Sequence, residues 1–304
     1  MTLTATARPS AGAGRTWGPA AAAAATLVLW ASAFVAIRHL GHGIAPGPLS
    51  LGRLLVASVV LGLLVLRRGG ARWPRGREWP LLLAGGAFWF GVYNLALNES
   101  ERRIDAGTAA LVIQIGTLIV ALLAALFFGE RLHRWLLIGM TIGFAGVVVI
   151  GRASADSAQG DLLGVLLAVL CAAAYAVGVL TQKSLVRTLP PLHVTWLSCM
   201  VGAVVCLPWA GDLAQVVGSA PTSDLLWIVY LGVAPTALAF TLWAYALSRS
   251  DAGKLSLTTF LVPAIATLMA WVLLDEVPPP LAFLGGALCV GGVMLTRHRP
   301  KEDR

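Results

Sequence analysis

Ten apolar stretches follow one another along the 304-residue chain, at roughly 17–37, 48–66, 79–98, 105–128, 134–151, 162–182, 192–209, 225–247, 252–274 and 280–296. The polar joints between them are short, except from Arg67 to Glu78 and from Ala210 to Asp224. No other feature limits the fold as much. A run of ~20 apolar residues is what an α-helix needs to cross the hydrocarbon core of a bilayer. In that solvent every backbone N–H and C=O must be paired within the segment, so such runs become helices. Charged residues are 12% of the chain, against about 25% in soluble domains. The deficit excludes an ordinary soluble enzyme. The expectation is an all-α membrane protein with ten transmembrane helices.

The basic residues test that map. If the N-terminus is cytoplasmic, 17 Lys and Arg fall in inside pieces, from Arg8 and Arg15 through the Arg67–Arg77 joint to Arg297 and Arg304. Only Arg38, Arg102, Arg103 and Arg152 fall outside, and Arg53 lies within the second helix. This is the positive-inside pattern, and one miscounted helix would destroy it. It explains the net charge of +8 without nucleic acid. It also places both termini in the cytoplasm of a bacterial inner-membrane protein. Residues 1–16 read as a mobile cytoplasmic tail, and 297–304 as a second one. Arg8, Arg15, an Ala run and Ala31-Ser32-Ala33 imitate a cleavable signal, but the apolar run continues through Ile37.

The chain repeats itself at an offset of 146. Asp105-Ala106-Gly107 recurs as Asp251-Ala252-Gly253, Glu130 as Glu276, Gly139 as Gly285, and Gly146-Val147 as Gly292-Val293. The repeat divides the chain into five-helix units at 17–151 and 162–296. Five is odd, so the second unit enters the membrane in the opposite sense. Inverted repeats of this kind can rock about a site between them, which is how many transporters alternate access.

Specific residues then carry a resemblance. The first helix holds Leu29-Trp30-Ala31-Ser32-Ala33-Phe34, and the second holds Pro48 followed by Arg53. The fourth and ninth end in Phe128-Gly129-Glu130-Arg131-Leu132 and Leu274-Asp275-Glu276-Val277. Together these resemble the EamA family of the drug/metabolite transporter superfamily, over nearly the whole chain after residue 16, and within it the bacterial amino-acid exporters, including the aromatic amino-acid exporter. The resemblance implies the 5+5 inverted fold of that superfamily and export of small metabolites or amino acids. Departures exist: Thr117 stands opposite Pro263, and Cys171 replaces a Trp expected from Trp30.

Intramembrane ionisable groups are the usual functional candidates, because lipid makes them costly. Here Asp, Glu and His all lie at helix ends, which disfavours a central proton relay, an intramembrane aspartyl protease and a haem protein. Arg53 either snorkels to the headgroups from the outer end of its helix or captures a substrate carboxylate. Glu130 and Glu276 either cap or pair with neighbouring elements or lock gates. Pro235 and Pro263 are hinge candidates, because proline interrupts a helix. Pocket candidates are the mid-helix polar and aromatic groups: Trp30; Trp89, Tyr93 and Asn94; Gln114 and Thr117; Tyr175; Thr236, Trp243 and Tyr245; Thr259 and Phe260. The small-residue faces Gly139/Gly143/Gly146 and Gly285/Gly286/Gly291/Gly292 pack helix five on helix ten or form a dimer; monomer and homodimer stay open. The four cysteines sit in apolar runs as small hydrophobes. No catalytic residue, cofactor, metal or nucleic acid is expected. The reading is a facilitative exporter of amino acids or similar neutral or zwitterionic metabolites. Its alternative is efflux of amphiphilic drugs or cations by proton antiport.

Overall fold

The computed structural model describes residues 17–40, 43–104, 109, 112–154, 161–274 and 280–296. Its elements are helices: α1 (Trp17–Leu40), α2 (Pro46–Arg67), α3 (Glu78–Glu101), α4 (Ile115–Phe128), α5 (Arg134–Ser154), α6 (Leu162–Leu185), α7 (Pro191–Val205), α8 (Ala210–Ser219) and α9 (Thr222–Leu247). Then α10 runs from Ala252–Leu257 through a tight turn at Thr258–Phe260 into Leu261–Leu274, and α11 is Pro280–Thr296. Local chemistry marks many ends. Pro46 and Pro191 sit in the first turns of α2 and α7, where a missing N–H costs nothing. Asp161 caps α6 by accepting from Leu163 N at 2.9 Å. Gly129 closes α4 with φ 67°, the left-handed conformation that suits glycine.

Six helices among the described residues are long and apolar enough to cross a membrane, and the α7–α8 pair, bent by 61°, makes a seventh if taken as one span. α4, the stretch Arg134–Ile150 of α5, and α11 are shorter apolar helices. Leu126, Leu162 and Val272 stand 74%, 72% and 76% exposed. Water would not tolerate so much bare hydrocarbon, and lipid accepts it. The segment from Ala210, read in the sequence as a joint, is helical. Pro208 breaks α7 within the turn Leu207–Trp209, and the chain resumes as α8 after the bend.

The offset seen in sequence is also a geometric one. α3 and α9 each contain a wide π-turn, at Gly86–Val92 and at Gly232–Leu238. Gly86 to Gly232 and Val92 to Leu238 are both 146 positions apart.

The glycine faces of α5 and α11 pack on each other. A Cβ added at Gly146 would lie 2.6 Å from Gly285 O, and one at Gly285 2.7 Å from Gly146 O. Lipid is as apolar as leucine, so helices associate there through close backbone approach, and small residues permit it. Gly139, Gly146, Gly285 and Gly292 are therefore occupied within the chain, whereas Gly291 meets nothing within 4 Å among the described residues. A second cluster, from Trp89 and Phe90 of α3 to Phe240, Trp243 and Leu247 of α9, forms the main core.

Candidate functional site

A cavity of about 100 Å³ lies among α1, α2, α3, α6, α9 and α10. At ~10–15 Å³ per water, it has room for several waters. That suits a small solute and is far too little for a peptide or a nucleotide. Along α1 it follows Trp30, Ala33, Phe34 and Ile37, one stripe at helical spacing.

Its aromatic wall is continuous. Trp30 stands 5.2 Å from Phe240 and 6.2 Å from Trp89, ring centre to ring centre. Trp89 meets Tyr175 edge to face at 5.5 Å and Phe240 at 5.0 Å.

Arg53 is the charge in this wall. It is 5% exposed and does not snorkel, contrary to one of the two readings of the sequence. Its Nε and Nη2 donate to Thr236 Oγ1 at 3.0 and 2.9 Å. The reason lies in α9. Pro235 has no N–H, so Leu231 O lacks its ordinary donor four residues on. The Thr236 hydroxyl donates to that carbonyl at 2.7 Å. With its proton committed there, its lone pairs serve Arg53. Proline, π-turn and guanidinium thus form one unit. Among the described residues, no carboxylate lies within ion-pair distance of Arg53.

Opposite, Gln114 precedes α4. Its Nε2 donates to Thr259 O at 2.8 Å, and Thr117 Oγ1 pairs with Thr259 Oγ1 at 2.9 Å. These bonds tie the start of α4 to the turn in α10. Asn94 Nδ2 donates to Phe90 O at 2.8 Å, within the π-turn of α3.

Of the sequence candidates, Trp30, Arg53, Trp89, Tyr93, Asn94, Gln114, Tyr175, Thr259 and Pro263 line the cavity. Five others do not. Thr117 and Thr236 stand behind it, holding Thr259 and Arg53. Trp243, fully buried, packs behind Trp30 at 4.9 Å. Tyr245 lies beyond it under the Arg249 guanidinium. Phe260 turns away to Phe144 of α5, 6.4 Å off. Pro235 shapes the π-turn without reaching the cavity. Glu276 falls outside the described residues. Sequence reasoning missed Phe34, Ile37, Leu97, Phe240 and Val262. The α1 members were legible as the i+4 and i+7 neighbours of Trp30, and Phe240 as the position 146 after Asn94.

Outside the cavity lining, Glu130 also ties the two sequence units together. Glu130, just past α4, accepts from Ala252 N at 2.6 Å and Gly253 N at 2.8 Å, capping α10. Within the second unit, Lys183 of α6 donates to Leu247 O at 2.9 Å and also to Ser250 O. At the opposite ends of α1 and α3, Glu99 meets Arg102 at 3.3 Å and Arg103 at 2.7 Å, and Arg103 meets Asp161 at 2.9 Å. The hydrogen bond from Arg103, then that from Leu163 N–H, holds the Asp161 carboxyl below the usual carboxylate range. The same partners, Asp161 first and then Glu99, push the Arg103 guanidinium up. These acids are thus neutralised in an exposed network, which offers no catalytic constellation.

Residues 17–152 and again 162–297 match the EamA-like transporter family. The chain belongs to that family. It is 38% identical over 276 residues to a "Probable terminal-alkyne amino-acid exporter" of Streptantibioticus cattleyicolor, covering 90% of this chain and 91% of the relative. It is 26% identical over 279 residues to a "Probable amino-acid metabolite efflux pump" of Escherichia coli, covering 88% and 91%. A solved crystal structure superposes with a TM-score of 0.77 at 23% identity, over 92% of this chain and 96% of that one, a likeness of fold alone. An EamA-like chain with these apolar helices is a multi-pass membrane protein and a transporter of small metabolites rather than an enzyme.

Proposed function

We propose that this transporter exports amino acids or closely similar small metabolites from the cytoplasm by facilitative alternating access. Its ten crossings form two inverted five-helix halves, with both termini in the cytoplasm. The observation that carries the reading is the Arg53–Thr236 pair, buried in an aromatic cavity to which α1, α2 and α3 contribute from one half and α6, α9 and α10 from the other. The guanidinium takes a substrate carboxylate. The Trp30, Trp89 and Phe240 wall takes an apolar side chain, and the amide oxygens of Asn94 and Gln114 are within the cavity for an ammonium. The names of the two relatives support an amino-acid cargo. A cavity whose charge is positive opposes the rival cargo, lipophilic cations.

Under this topology the Glu130 cap lies on the cytoplasmic side. Trp243 and Leu247, both fully buried, share one packed cluster with Ala252 at that cap, and Trp30 of the cavity wall packs against it. The structure then corresponds to a state closed to the cytoplasm, and Glu130 is a latch that opens when solute loads. Proteoliposomes test the function. Saturable flux of neutral amino acids without an imposed proton gradient is the expected result. Flux of a lipophilic cation alone, or flux only with a proton gradient, overturns it.

A further inference from the structure

We infer that the cavity recognises its solute through the carboxylate and makes little demand on the ammonium, so that apolar monocarboxylates with no amino group are bound and exported as well. This rests on the cavity being the transport site.

The argument is a count of donors and charges. Arg53 has five N–H groups. One on Nε and one on Nη2 are spent on Thr236. The other three have no partner among the described residues, although the side chain is 5% exposed and lines the cavity. A guanidinium presents them in a planar fork that matches the two oxygens of a carboxylate. Thr236 cannot turn to become a donor, because its proton is fixed on Leu231 O. The fork's free edge is thus held in one direction. The same wall holds a second donor: Trp30 Nε1 is buried and has no hydrogen-bond partner among the described residues.

Toward a cation the described lining offers aromatic faces and neutral oxygens rather than an opposite charge. Among the described residues that line the cavity there is no Asp or Glu. Glu101, the last residue of α3, is not among them. The available acceptors are neutral: the amide oxygens of Asn94 and Gln114, whose nitrogens already hold Phe90 O and Thr259 O, and the buried Tyr175 hydroxyl. A monoanion cancels the buried charge of Arg53. A zwitterion cancels it and then brings a second positive charge into the same low-dielectric space. An amine carries only the unfavourable part.

Two matched triads decide the matter: phenylalanine, phenylpropanoate and phenylethylamine; and leucine, isocaproate and isoamylamine. Binding is measured by calorimetry on the full-length protein in lipid nanodiscs, and flux by counterflow in proteoliposomes. In at least one triad the des-amino acid is expected to bind within about tenfold of the amino acid, and the amine at least about 30-fold more weakly. Arg53→Gln is expected to weaken both carboxylates by a similar factor and to leave the amine unchanged. The wild-type order stands as a test even if that variant does not fold. If the amino acid binds and the des-amino acid does not, or if the amine binds equally well, the inference falls and the transport-site reading survives. If amino acids are transported while Arg53→Gln and wild type bind every member alike, the cavity is not the site, and both readings fall.

Discussion

Replacing Glu130 by Gln separates a gate from a plain helix cap. The carboxylate accepts two backbone N–H groups of α10, at 2.6 and 2.8 Å, across 122 and 123 residues of sequence. Glutamine keeps the length, loses the charge, and offers a single oxygen where two served. A charge-assisted hydrogen bond contributes about 1.5–3 kcal/mol and a neutral one about 1 kcal/mol. Favourable placement at a helix N-terminus adds about 0.5 kcal/mol. Glu130 is half-buried, so solvent screening reduces the total. A loss of about 1.5 kcal/mol remains, which shifts a two-state equilibrium roughly tenfold. The shift is read at Ser256→Cys, a fully buried position just inside that cap on α10. In inside-out vesicles, a membrane-impermeant maleimide is expected to label Cys at 256 about tenfold faster when Glu130 is Gln. If labelling is unchanged while the melting temperature falls, Glu130 only caps α10, and the gating argument is refuted.

Gly146→Ala is expected to lower the stability of purified protein by about 1–3 kcal/mol, because its Cβ would sit 2.6 Å from Gly285 O and 2.7 Å from Cys289 N, backbone that cannot move aside. Gly291→Ala, on α11 with nothing within 4 Å of its Cβ, should be neutral; thermal unfolding in detergent compares the two, and equal losses would refute the packing account. For Asp161 the shift is downward, so the stability it lends is present above the usual carboxylate value and lost as pH falls through the lowered one. The melting temperature should therefore be flat from about pH 7 to about pH 5, with the difference between wild type and Asp161→Asn closing only below about pH 4.

What the sequence revealed and what it hid divide along a physical line. Depth in a membrane is written locally, in hydropathy and in the placing of Arg and Lys. The stripe from Trp30 to Ile37 was likewise open to a helical wheel. The direction in which a side chain points toward other helices is not local. Arg53 was placed near a helix end by counting, and counting could not show that it faces Thr236, 183 residues away. The cue was nonetheless present, since Pro235 strips a donor from Leu231 and the next residue carries a hydroxyl. Phe260 misled in the opposite way. It sits beside the pocket residue Thr259, but the tight turn Thr258–Phe260 sends it to Phe144 and against Gly143. Glu130 could be read as a cap, and only the fold identifies α10 as the helix it caps.

The paired wide turns carry a message about descent. A π-turn arises when one residue is added to a regular helix, and nothing in membrane solvation requires the addition at a given place. Here the turn begins at Gly86 and again at Gly232, in register with every other repeated landmark. One insertion, made before an ancestral gene doubled, accounts for both. The two copies then took different work. The first kept Trp89 and Phe90 in its wide turn, while the second placed Pro235 and Thr236 at the same two positions. Part of the aromatic wall and the hydroxyl that holds Arg53 are thus divergent descendants of a single ancestral turn.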